Sequence, residues 1–278
     1  MLLGLSAALS AAVVFGFAAV LQARAVSNVE APDTGRLLLR LLREPLFLTS
    51  VALSIGGFCL HLVAVRTIPL YLAQAGIAGS LAVTALLAVA LIHERLTTAD
   101  WTAVAAITVG LAVLAIASGD IGEDDLPAGF MLGLFIGILV LVLLGTAVSR
   151  SQGPYVASAL GVLAGLGFAG SGLAARALPG LTPAELWDSP ATYALPVYGA
   201  LAYGLYSLAL RRGSVTEATG PMIVLQTVTP ALVGLAWLGD QVRDGWAAVA
   251  VVGFVLTCAG AVALARFEGG PEGHGGRG

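Results

Sequence analysis

Nine apolar runs, each long enough for a helix of roughly 20 residues to cross a bilayer, leave this chain few ways to fold. They lie at about 3–23, 46–65, 70–92, 101–118, 128–148, 155–175, 191–210, 218–239 and 246–265. No water reaches the hydrocarbon, so every backbone N–H and C=O there needs a partner within the protein, which only helices and closed barrels provide. Long runs that are apolar all round, without the alternation of barrel strands, specify helices. The breaks between runs hold Pro, Gly and nearly all the charges: Pro45, Pro69, Asp100, GDIGEDDLP (119–127), Gly153-Pro154, Pro190 and Gly220-Pro221. The expected fold is therefore an all-α polytopic membrane protein, a helical bundle of about nine transmembrane helices. The N-terminal MLLGLSAALSAAVV lacks the positive n-region of a cleaved signal peptide and reads as a retained first span.

Only 10% of the residues are charged, against about 25% in soluble domains. A net charge of −3 gives no basic surface for nucleic acid. Cys59 and Cys258 stand alone inside apolar runs, without the spacing of a metal site, redox pair or disulfide framework.

Arginine, the sole basic residue besides histidine, sets an orientation. With nine spans, Arg24, Arg36, Arg40, Arg43, Arg95, Arg150, Arg211, Arg212, Arg266 and Arg277 fall on one side. Arg66, Arg176 and Arg243 fall on the other, with the acidic Asp120, Glu123, Asp124 and Asp125. Ten against three is a positive-inside bias, predicting a multi-pass protein of the cell membrane with its N-terminus outside and C-terminus cytoplasmic. Segment 34–45, TGRLLLRLLREP, presents Arg36, Arg40 and Arg43 on one helical face and reads as an interfacial helix. A remnant of a tenth span is the other reading of it.

An internal repeat runs through this pattern. LQARAV (21–26) closes the first run and LAARAL (173–178) closes the sixth, 152 positions later. GFA at 16–18 meets GFA at 167–169, one residue out of register. Spans 2–4 correspond to spans 7–9 at an offset near 146; HERL (93–96) meets GDQV (239–242). Equivalent helices stand five apart, an odd number, so the halves run in opposite directions through the membrane. Inverted repeats with a site at their interface are a transporter architecture. The organisation expected is a first half at 1–119, a linking span at 120–153, a second half at 154–266 and a disordered tail at 267–278. Arg24 and Arg176 read as topology anchors.

The arrangement resembles the drug/metabolite transporter superfamily, whose EamA-type repeat carries a Glu at the end of its penultimate helix, as HERL does here. Within it the chain is similar to the NIPA-like magnesium transporters in its nine spans, its basic first-helix end and the passage LHLVAVRTIPLYLAQAG. The resemblance implies a bundle of inverted repeats moving a small solute, with magnesium as the subfamily's substrate. It departs at Phe58, where those proteins carry Glu, and at Gln74-Ala75, where they carry Thr-Pro. No Asp or Glu lies inside any run, whereas Mg²⁺ favours carboxylate oxygen.

Polar residues inside the runs are candidates for substrate binding or translocation. His61 is the one ionisable side chain well inside a run. Gln74 in span 3, and Gln226, Thr227 and Thr229 in span 8, belong to equivalent helices, and Pro230 is expected to break span 8 and free a carbonyl. Tyr198, Tyr203 and Tyr206 share one face of span 7 as an aromatic wall, with Ser207 beside them. Glu94 and Asp240 end equivalent helices, either as loop-fixing partners of Arg95 and Arg243 or as gate residues that exchange partners. Gly129, Gly133 and Gly137, and Gly161 and Gly165, are small-xxx-small series for close helix approach.

The expected function is secondary transport of a small metabolite, drug-like or cationic compound. A magnesium or divalent-cation pathway is the alternative. A remote one is an intramembrane hydrolase using Ser171 of AGSG (169–172) with His61 as base. No enzyme activity, metal site, cofactor or nucleic-acid partner is expected; the partners are a small-molecule or ion substrate and the lipid bilayer, with homodimerisation left open.

Overall fold

The computed structural model describes residues 2–27, 43–92, 96–122, 126–180, 182–213 and 215–268. The expected interfacial segment therefore lies almost wholly outside the described residues, as do Glu94, Arg95 and 269–278. The helices are α1 (Leu2–Ser27), α2 (Pro45–Thr67), α3 (Leu70–Leu87, prolonged by a π turn over Ala88–Ile92), α4 (Thr98–Ala117) and α5 (Phe130–Arg150). Then come α6 (Val156–Arg176), α7 (Pro183–Asp188), α8 (Pro190–Arg212), α9 (Val215–Trp237) and α10 (Ala247–Glu268). Among the described residues nine of these, all but α7, are long and apolar enough to cross a membrane, and no strand forms beyond one isolated bridge between Ser118 and Val242. The chain is an all-α membrane protein. Six-residue α7 was not foreseen; Thr182 and Glu185 cap it reciprocally, as Thr97 and Asp100 cap α4.

Helix starts follow their residues. Pro45 and Pro190 occupy first-turn positions, where a missing N–H costs nothing. Gly129 takes φ 84° at the N-cap of α5, a left-handed conformation open to glycine. Pro230, by contrast, does not interrupt its helix: α9 runs unbroken from Val215 to Trp237. Packing on all sides of the fully buried Pro230 carries the helix through it.

Apolar side chains gain nothing by leaving lipid for one another, so bundle helices associate through close contact of small residues. Here α1 packs on α2 and α3, α6 on α8 and α9, and α4 on α10, while α5 lies against α6 and α8. Alanine dominates the contacts; Ala64, Ala73, Ala164, Ala174 and Ala202 are fully buried. Gly161 lies against the backbone of Ala218, and a Cβ at Gly165 would come 2.6 Å from the Met222 carbonyl oxygen. Gly129 and Gly133 serve no such contact, having nothing within 4 Å of an added Cβ. Leu132, Leu139 and Leu143 of α5 are 57–64% exposed to the surroundings, as a lipid-facing surface requires.

The α6–α9 contact predicts a contrast. Gly165→Val should lower the unfolding free energy in detergent by about 1–3 kcal/mol, the usual penalty of overpacking, while Gly133→Val should change it by less than ~0.5 kcal/mol. Equal effects would mean that Gly165 is not a packing position.

Candidate functional site

Four loops meet at one end of the bundle around the buried ion pair of Arg176 and Asp240, whose side chains are 5% and 0% exposed and 3.5 Å apart. Arg176 closes α6 and donates to the carbonyls of Val65 (2.9 Å) and Gly122 (3.2 Å). Asp240 accepts from the backbone N–H groups of Leu70 (2.6 Å) and Gly122 (3.0 Å). The first of these caps α3. Its own N-cap residue, Pro69, has no side chain able to accept, so a carboxylate 170 positions away takes that place and favours the positive helix end. Around the pair, Arg66 donates to the carbonyls of Leu178 and Pro179, and Tyr71 donates to that of Gln241 at 3.1 Å. The links join α2 and α3 to α6 and to the loops after α4 and α9.

The opposite end is tied differently. Arg24 donates to the Leu91 carbonyl, within the π turn, and Arg212 donates to the carbonyls of Ser149 and Ser151.

A cavity of about 490 Å³ is lined by Ala175, the residue before Arg176, and by residues farther along the helices toward mid-bundle. Its walls come from α1, α2 and α3 on one side and α6, α8 and α9 on the other. Phe15, Phe58 and Phe168 make it largely apolar. Its polar groups are His61, Gln74, Ser80, Ser171 and Gln226; among the described lining residues none is Asp, Glu, Lys or Arg. Ser80 and Ser171 donate to the carbonyls of Ile77 (2.7 Å) and Leu195 (3.3 Å). His61 and Gln74 are each only 5% exposed, and no side-chain hydrogen bond joins either of them, or Gln226, to another described residue. Gln74 is held by shape: its amide nitrogen rests where any Cβ at Gly172 would be. Proline adds an acceptor, because Pro230 lacks the N–H that would bond the carbonyl of Gln226.

The sequence candidates therefore divide. His61, Gln74 and Gln226 converge on the cavity. The tyrosine wall does not: Tyr198 is buried and donates to the Leu134 carbonyl at 2.6 Å, Tyr206 is 2.7 Å from Thr219 Oγ1, and Tyr203 is 67% exposed. Ser207 and Thr227 turn back onto the carbonyls of Tyr203 and Ile223. Thr229 is half-buried and outside the lining. Asp240 is paired with Arg176, and its neighbour Arg243 instead lies 5.7 Å from the centre of the Trp246 ring. Arg176, read from the sequence as a topology anchor, is 9% exposed within that network.

Phe15, Phe168 and Ser80 were not among the sequence candidates, and Phe58 was named only as a departure from the resembled family. Phe17 is 40% exposed, whereas Phe15, two residues or about 200° of helix away, lines the cavity. No group of three or more His, Cys, Asp or Glu able to hold a metal ion occurs among the described residues. Ser171 and His61 do share the cavity, but the Ser171 hydroxyl is engaged with a carbonyl and not with a base.

Removing one partner of a buried pair strands the other. Arg176→Met and Asp240→Asn should each destabilise the purified protein by about 3–5 kcal/mol, and the double variant by clearly less than the sum. Additive losses in a double-mutant unfolding cycle would show the pair to be uncoupled. No protein-family model, curated protein or solved structure matches this chain.

Proposed function

We propose that this membrane protein is a secondary transporter of the drug/metabolite type, moving a small organic solute by alternating access between inverted halves, α1–α4 and α6–α10. The observation that carries this reading is the cavity. It is built from α1–α3 and from α6, α8 and α9, the helices that correspond in the sequence repeat. It also holds buried polar side chains without partners among the described residues, as sites for orienting a ligand do. The packing pairs support the same correspondence: α1 on α2 and α3 matches α6 on α8 and α9.

On this reading the Arg176–Asp240 network is the gate at one end, which by the arginine bias is the outer one. It joins one half to the other at the end where Ala175, next to Arg176, borders the cavity, so opening that end requires its bonds to separate. A divalent-cation pathway ranks behind, for want of carboxylates in the described lining. A hydrolase ranks behind that, with its serine committed elsewhere.

Two measurements test this. A thermal-shift screen of the purified protein against metabolites, amines and divalent cations should yield stabilising solutes that undergo counterflow in proteoliposomes. His61→Ala or Gln74→Leu should cut that counterflow by about tenfold or more, the worth of ~1.4 kcal/mol of binding. Counterflow of every hit no greater than in empty liposomes would remove the transport reading. The gate is tested by Ser171→Cys in a chain lacking Cys59 and Cys258, labelled with an impermeant maleimide from the Arg176 side. Asp240→Asn should raise the labelling rate about tenfold, the population shift that ~1.4 kcal/mol of lost latch energy produces; an unchanged rate would rule out a latch.

A further inference from the structure

The lining also limits what the cavity can hold. We infer that its ligand is an uncharged aromatic or heteroaromatic compound bearing an amide-type edge, a donor and an acceptor side by side as in carboxamides, lactams and ureas. This rests on the cavity being the solute site.

Charge is excluded first. A cation entering the cavity would lose its water and meet no described carboxylate. An anion would meet no lysine or arginine in the described lining, where His61 alone can take up a proton. Arg176, next in the chain to the lining residue Ala175, and Asp240 are already committed to each other and to backbone partners. A buried charge without a partner carries a heavy desolvation penalty.

Hydrogen-bonding capacity comes next. The hydroxyls of Ser80 and Ser171 have spent their single donors on carbonyls and can now only accept. The two glutamines and the histidine are different. Each carboxamide offers two N–H donors and a carbonyl acceptor, and an imidazole adds ring nitrogens; none of these has a side-chain partner among the described residues. A ligand with donors alone or acceptors alone would leave half of each amide unpaired, and buried polar groups without partners discriminate strongly against such ligands. A group presenting N–H beside C=O satisfies both atoms of one carboxamide at once. Gln74 is pre-oriented for this, since its amide is seated on Gly172.

The rest of the wall asks for a flat apolar body. Phe15, Phe58 and Phe168 line the same cavity as the polar groups, and aromatic faces favour stacked or edge-on partners. At about 490 Å³ the cavity is of the size that holds compounds of two or more rings.

A matched series of one shape separates the possibilities: naphthamide, its methyl ester counterpart methyl naphthoate, naphthoate and naphthylmethylammonium. Binding to the purified full-length protein is measured by calorimetry and by thermal shift. Naphthamide should bind, the ester and both ions about tenfold or more weakly. Gln74→Leu, Gln226→Leu and Gly172→Ala should each erase most of the amide's advantage over the ester. Either ion binding as tightly as the amide, no binding of the amide, or an advantage unchanged in all three variants overturns the inference. The wild-type series decides the matter even if a variant does not fold. Counterflow of the same probes separates this from the transport reading. Amide-selective binding without counterflow leaves the site chemistry standing and removes transport. Counterflow of an ion that is lost in Gln74→Leu keeps transport and overturns the ligand class.

Discussion

Lipid gives a helix nothing to gain by burying leucine, so this bundle depends on two other forces: contact between small residues and the satisfaction of polar groups that cannot reach water. The first is diffuse, spread over alanines and glycines along α1, α4, α6, α9 and α10. The second is concentrated where Arg176 and Asp240 are sealed together. Neither charge could stay there without the other or without the backbone groups of Val65, Leu70 and Gly122. The pair does more than neutralise itself. It supplies the N-terminal cap that Pro69 cannot and fixes the positions of four loops, and through them the upper edge of the cavity.

Much of the architecture was legible in the sequence because the bilayer imposes a length on every crossing. Nine runs bounded by proline, glycine and charge could be little else, and the ends of nine helices follow them closely. His61, Gln74 and Gln226 were legible for a related reason, since polar groups in apolar runs are expensive and therefore conspicuous. What stayed hidden had no such signal. Phe15 and Phe17 are the same residue type two positions apart, and only the rotation of α1 decides which looks inward. Asp240 stood next to an obvious local partner, Arg243, whereas its actual partner lies 64 positions earlier; proximity in sequence says nothing of which charges the fold will seal together. Pro230 read as a break because proline weakens an isolated helix, but α9 continues through it where the residue is fully buried.

Chemical character and position in the fold agree at the cavity. Its walls are largely apolar, and its few hydrogen-bonding groups lie on α2, α3, α6 and α9. A ligand held by Gln74 on one side and Gln226 on the other would touch both bodies that the proposed alternating access would set in relative motion. The solute would then influence the relation of the halves through its own contacts, which is the requirement for a ligand to shift a conformational equilibrium.

Tyr198 carries one more consequence. Its hydroxyl holds the Leu134 carbonyl of α5 while its ring lies against Gly170 of α6, and α5 packs on α6 and α8. On the proposed division of the helices, α5 is thus fastened to the side of α6 and α8. Any rocking would set five long helices against four, so the lighter partner would swing through the wider arc and its lipid-facing surface would sweep more of the bilayer.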